Sequence, residues 1–262
     1  MASVHPPQVA GMFYPADPLE IQAEIRAFLA QAEAPAGEPP KALVVPHAGY
    51  VYSGPVAANA YAQLLPAAGR IHRVVMFGPA HRLPFRGIAC HHAERFRTPL
   101  GDVEVDREAL EAILDLPQVE CLDAAFAGEH CLEVQLPFLQ TILEDFKIVP
   151  LLVGEADPVE VAEVMERLWD GEETLILVSS DLSHYLDYAT ARSIDAQTTQ
   201  AIEALRPEAI GPEQACGRIP VKGLLLEAQR HGLHPHTLDL RNSGDTAGPK
   251  SQVVGYGAYV FA

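Results

Sequence analysis

Basic residues are scarce in this chain. Lys and Arg number 18 against 35 Asp and Glu in 262 residues, giving a formal charge of -17 and a pI near 4.9. Such a chain has no long-range pull on a phosphate backbone or an anionic bilayer, so nucleic acid and membrane surfaces are poor partners. Long apolar runs are absent too: no stretch approaches the roughly 20 residues needed to cross a bilayer. The start, Met1-Ala2-Ser3-Val4-His5-Pro6-Pro7, has no basic segment leading into an apolar one, and the expected compartment is the cytoplasm. Cysteine is sparse as well. Cys90, Cys121, Cys131 and Cys216 have neither CxxC spacing nor the density of a secreted disulfide scaffold, so reduced thiols are expected. There is no internal repeat, and the one biased stretch is proline-rich, Ala34 to Pro40.

Apolar content is ample at 48%, enough to bury a large core within a single domain, residues 1–262. Asp17-Pro18-Leu19-Glu20 combines a capping residue, a proline at the first helical position and a glutamate at the third. A helix follows with Ile21, Ile25, Phe28 and Leu29 on one stripe, stopped by the proline-rich segment. The same start recurs at Asp157-Pro158-Val159-Glu160, with Val161, Val164, Met165 and Leu168 on one face. Strands are expected at Ile88 to Cys90, Lys147 to Val153, Thr174 to Val178 and Val253 to Phe261. Helices are expected over Leu132 to Leu143, interrupted or tilted near Pro137, and over Val221 to His231, closed by Gly232. The alternation predicts an α/β fold with a largely parallel sheet covered by helices on both faces.

Three apolar runs end in loops that carry histidine. Ala42 to Val45 leads into Pro46-His47-Ala48-Gly49-Tyr50, Val74 to Phe77 into Gly78-Pro79-Ala80-His81, and Leu175 to Val178 into Ser179-Ser180-Asp181-Leu182-Ser183-His184. If the runs are neighbouring strands, the imidazoles meet at the carboxyl edge of the sheet, where open α/β folds place ligands. A lone histidine in such a loop is usually a satisfied loop residue. Two placed alike, His47 and His81, begin a metal site. Asp181 and His184, three apart, can share a face of an opening helical turn, with Asp181 orienting, ligating or simply capping the helix and His184 ligating or acting as acid/base.

Cys216, in Gln214-Ala215-Cys216-Gly217-Arg218, lies just ahead of a predicted helix and beside a guanidinium, both of which favour a thiolate. Of the four it is the cysteine most suited to be reactive or metal-bound. Cys90 and Cys121 read as core or loop thiols. Glu129-His130-Cys131 opens a helix; acidic residues are ordinary there, while His130 is a candidate wall residue of the pocket. His231-Gly232-Leu233-His234-Pro235-His236 has no carboxylate or cysteine at ligand spacing and reads as an exposed turn, and His91-His92 as solvated. Ser243 to Gly248 is a polar loop placed to close over a pocket.

Taken in order, Val9 to Pro15, Pro46 to Gly54, Gly78 to His81, Arg97 to Gly101, Glu129-His130, Ser179 to His184, Cys216-Gly217-Arg218 and Val253 to Tyr256 closely resemble the Memo family over nearly the whole chain. The resemblance implies a fold similar to class III extradiol dioxygenases, which hold non-haem iron with two histidines and a carboxylate. It makes His47 and His81 the imidazole ligands and His184 the acid/base histidine; the residue reading adds Asp181 and His130 to the candidate catalytic set. Cys216 stands where those dioxygenases have a glutamate, a donor that accepts iron but also suits copper or zinc. The resemblance further implies AMMECR-type and radical SAM partners. Three functions follow: a metal-binding, dioxygenase-like oxidoreductase acting on an unknown small molecule; a non-catalytic protein binding a partner or peptide with a vestigial pocket; or a metal-assisted hydrolase.

Overall fold

The computed structural model describes residues 2–35 and 37–262; Met1, and Ala36 in the proline-rich stretch expected to stop the first helix, lie outside the described residues. The strands are β1 (Val4–His5), β2 (Ala42–Val45), β3 (Arg73–Pro79), β4 (Ile88–Cys90), β5 (Arg95–Thr98), β6 (Gly101–Val105), β7 (Val119–Cys121), β8 (Lys147–Val153), β9 (Thr174–Ser179), β10 (His184–Leu186), β11 (Pro235–Asn242) and β12 (Val253–Phe261). The α-helices are α1 (Pro18–Gln31), α2 (Tyr50–Ala62), α3 (Arg107–Glu111), α4 (Leu136–Ile142), α5 (Pro158–Arg167), α6 (Tyr188–Glu203) and α7 (Arg218–His231). No helix among the described residues is long and apolar enough to cross a membrane.

The strands form one sheet whose main path runs β1-β5-β6-β8-β3-β9-β2-β12-β10, with β11 on β12 and β4 carrying β7 beside β8. From β6 through β8, β3 and β9 to β2 all neighbours are parallel, and β12 closes antiparallel on β2. The sheet is thus mostly parallel and flanked by helices, as the alternation predicted. Its central strands are apolar without alternation because both faces are covered: every residue of β2 and β9 is buried.

Both Asp-Pro starts behave as read. Asp17 caps α1 by accepting from the Leu19 and Glu20 amides, and Asp157 caps α5 in a capping box with Glu160. Such caps contribute about 1 kcal/mol each. Gly232 ends α7 in the left-handed conformation at φ 67°. The stretch expected as one helix from Leu132 is a 3₁₀ turn, Glu133–Gln135, running into α4, with Pro137 at the second helical position, where its missing N–H costs no ladder bond. The turn expected to join Asp181 and His184 on a helical face is not helical. His184 opens β10, and the helix begins only at Tyr188, capped by Asp187.

Register decides what the loops can do. Val45 of β2 lies beside Ser179 of β9, and Phe77 of β3 beside Val178, so three adjacent parallel strands end level with one another. The loops bearing His47, His81 and Asp181 therefore leave the same edge.

A candidate metal site at the carboxyl edge of the sheet

His47 is 2% exposed and gripped on three sides. Its backbone N–H donates to Asp181 Oδ1 at 2.7 Å, its Nδ1 lies 2.9 Å from Ser179 Oγ, and its Nε2 lies 3.3 Å from Cys216 Sγ. Ser179 settles the tautomer. Its only hydroxyl hydrogen goes to the Cys131 carbonyl at 2.6 Å, while its oxygen accepts from Gln135 Nε2 at 2.8 Å. The ring nitrogen of His47 facing Ser179 must then donate, which leaves Nε2 with a free lone pair. Burial, and then the neighbouring His81 and His130, hold the imidazole well below its ordinary pKa, so it is neutral.

His81 is held by a carboxylate. Glu129, 5% exposed, accepts the His81 backbone N–H on Oε2 at 2.7 Å, and its Oε1 lies 2.9 Å from His81 Nδ1. Burial alone would raise the Glu129 pKa, but the imidazoles of His130 and His81 beside it and the His81 amide outweigh it and hold the carboxyl far below its usual range. A carboxylate fixing Nδ1–H and freeing Nε2 is the arrangement that metal-ligating histidines use. The Glu129 side chain also accepts the His130 and Cys131 amides at 2.8 and 3.2 Å, so one carboxylate organises the whole segment.

His130 completes the cluster. The ring centroids of His47, His81 and His130 are 4.9 to 5.4 Å apart, and one donor nitrogen of each lies within 4.8 Å of the other two. His130 Nδ1 is buried, 3.3 Å from Glu129 Oε1 but without an aligned hydrogen bond. The mutually close set is therefore His47, His81 and His130, with Cys216 touching it through His47. A second close set, His81, Glu129 and Cys131, shares this wall, but the Cys131 thiol donates to the Pro79 carbonyl at 3.2 Å.

Cys216 departs from expectation in its charge. Burial, and then the Asp181 carboxylate, push its thiol up to about 12, overriding the hydrogen bonds from Asp181, Ser180 and the Gly217 amide at the helix start. Its sulfur accepts the Asp181 N–H at 3.3 Å, and its proton faces the free Nε2 of His47. Asp181 is 4% exposed and its own pKa is raised by burial, an effect that the His47 amide partly offsets. It caps no helix; it fixes the His47 backbone. Glycine makes room at two points. A Cβ on Gly78 would sit 2.5 Å from Cys131 Sγ, and one on Gly217 would sit 2.7 Å from Ser180 Cβ and 2.9 Å from the Ser179 carbonyl. Gly217→Ala is expected to cost about 1 to 3 kcal/mol in denaturant unfolding and to displace Cys216 from His47.

His47, His81, His130 and Asp181 line a cavity of about 630 Å³ that His184, Tyr52, Arg82, Tyr185, Tyr256, Ser243 and Gly248 also reach; Cys216 meets this wall through His47. Phe13 brings in the N-terminal arm, 4.7 Å from the His130 ring, and the arm is anchored where buried Glu133 accepts the Gln8 and Val9 amides and the Tyr14 hydroxyl. The loop from Ser243 forms part of the wall. A second cleft of about 390 Å³ lies at the opposite, amino end of the strands, where the Lys41 ammonium donates to the Trp169, Asp170, Gly171 and Thr174 carbonyls. Two expectations elsewhere are corrected. His91 is buried against His5 and Phe126 rather than solvated, and His231 is no bare turn residue: it ends α7, stacks on Trp169 and lies 2.7 Å from Glu166.

Residues 5–260 match the sequence profile of the Memo-like protein family. The chain belongs to the Memo-like family. Curated relatives named as MEMO1 family proteins agree with this along their whole length. That of Aquifex aeolicus is 36% identical over 98% of this chain and 99% of its own; that of Sulfolobus acidocaldarius is 35% identical over 95% and 96%. A third, from Saccharolobus solfataricus, is 32% identical over 97% and 98%. The family match thus spans every loop that contributes to the cavity.

Proposed function

We propose that this Memo-like chain is a metal-binding oxidoreductase of the non-haem-iron-dioxygenase type, with His47, His81 and Cys216 as ligands. The supporting observation is the pair of fixed tautomers: Ser179 and Glu129 each occupy an Nδ1, leaving two Nε2 lone pairs, that of His47 beside the Cys216 thiol. Two imidazole nitrogens and a sulfur suit iron, copper or zinc rather than magnesium or calcium. The His47 lone pair that meets the neutral Cys216 thiol is the donor a cation would take. A bound metal supplies Lewis acidity and, for iron or copper, redox chemistry toward an oxygen-bearing substrate.

The chain's own residues do the rest. Asp181 and Glu129 fix the two ligand loops, the aromatic rings of Phe13 and Tyr256 limit water, and His184 is the proton carrier, being partly exposed on β10. His130 is a positioning or acid/base group at the same wall. Chain isolated from its own cell is expected to hold about one equivalent of iron, copper or zinc by elemental analysis; less than a tenth of an equivalent of any transition metal overturns the proposal. Turnover of a substrate found by screening is expected to stop without dioxygen, and undiminished anaerobic turnover assigns the hydrolytic reading instead.

A further inference from the structure

A pair of sulfurs lies outside this site. β4 and β7 are parallel neighbours in a register that sets Cys90 directly beside Cys121, with the two Sγ atoms 2.6 Å apart. That is well inside contact distance for separate thiols and near the ~2.05 Å of a bond. The other two thiols are engaged elsewhere, Cys131 with the Pro79 carbonyl and Cys216 with His47. Among four cysteines only one pairing is built.

We propose that Cys90 and Cys121 are a disulfide-forming site that oxidation closes and thiols reopen, with a small disulfide such as oxidised glutathione as the co-reactant. The division of labour follows from exposure: Cys121 is partly exposed and Cys90 fully buried. The Cys121 thiolate attacks one sulfur of the oxidant, whose S–S bond breaks and releases one thiol, leaving a mixed disulfide on Cys121. Cys90 then loses its proton to water and attacks Cys121 Sγ, expelling the second thiol. Two protein thiols become one disulfide, and one small disulfide becomes two thiols.

The placement gives the bond a consequence. Among the described residues β7 pairs with β4 alone, and the chain runs from Cys121 through the 3₁₀ turn Asp123–Phe126 to Glu129 and His130. The disulfide pins to the sheet the start of the segment that carries the organising carboxylate.

The full-length chain is incubated with oxidised glutathione, denatured, alkylated, digested and read by mass spectrometry. Two of the four thiols, those of Cys131 and Cys216, are expected to remain alkylatable, with a Cys90–Cys121 cross-linked peptide that dithiothreitol abolishes. Cys90→Ser is expected to trap glutathione on Cys121, and Cys121→Ser to leave Cys90 unmodified. Four alkylated thiols, a stable glutathione adduct on Cys121 of the unsubstituted chain, or a link through Cys131 or Cys216 would each overturn the assignment. Should Cys90→Ser fail to fold, Cys121→Ser and the unsubstituted chain decide it alone.

Discussion

His47→Ala and His81→Ala are each expected to strip the chain of tightly held transition metal, lowering affinity by more than the ~10 to 100-fold that loss of an outer hydrogen-bond partner costs. Each removes a nitrogen whose lone pair is fixed toward the cavity by a bond on the other side of the ring. Elemental analysis after dialysis, with circular dichroism to confirm folding, reads the effect. His231→Ala is the matched control, because Glu166, Glu227 and His231 also bring donor atoms within 4.8 Å of one another, but on α5 and α7. It should leave the metal at the carboxyl edge unchanged. Equal metal in the unsubstituted chain and both edge variants would remove the ligand assignment, and partner binding that survives in both would favour the non-catalytic reading.

Much of this site was legible because strand ends are easy to read. An apolar run broken by Pro46 or by Gly78-Pro79 announces both the end of a parallel strand and the exit point of its loop, and neighbouring strands do the rest. The carboxylate on His81 was harder to find. Glu129 stands at a place where acidic residues are ordinary, and nothing local distinguishes it from a macrodipole partner; only the fold brings it 48 positions back to His81. The adjacency of Glu129 to His130 was the one available signal. The charge state of Cys216 misled for a related reason. Helix start and guanidinium are visible in sequence, whereas burial and the Asp181 carboxylate, which dominate, are not. Three α-helices escaped notice: α2 is buried nearly all round, α3 has only five residues, and the buried face of α6 carries polar Asp195, Thr198 and Thr199.

Glu129→Gln is expected to disturb stability and metal binding together, and acid separates its contribution from that of His47. In the metal-free chain both groups have folded pKa values below their ordinary ones, so each contributes stability that is complete above its unfolded pKa and is lost as pH falls below it. For His47 the loss begins near its ordinary 6.5; for Glu129 it begins near 4.5. The unsubstituted chain should therefore weaken in two stages on acidification. Removing the Glu129 charge should flatten only the lower stage, by up to about 1.4 kcal/mol per pH unit, and His47→Ala only the upper one. Glutamine keeps one acceptor oxygen, for either the His81 amide or the His130 and Cys131 amides with His81 Nδ1–H, and no charge, so metal affinity at neutral pH should fall about 10 to 100-fold with both Nε2 ligands still present. Denaturant midpoints measured from pH 3 to 8 and competitive metal titration check the two halves. An acid limb below pH 4.5 identical in the Glu129→Gln and unsubstituted chains would mean that the carboxylate gains nothing from the imidazoles it touches, and the account of how His81 is oriented would fail with it.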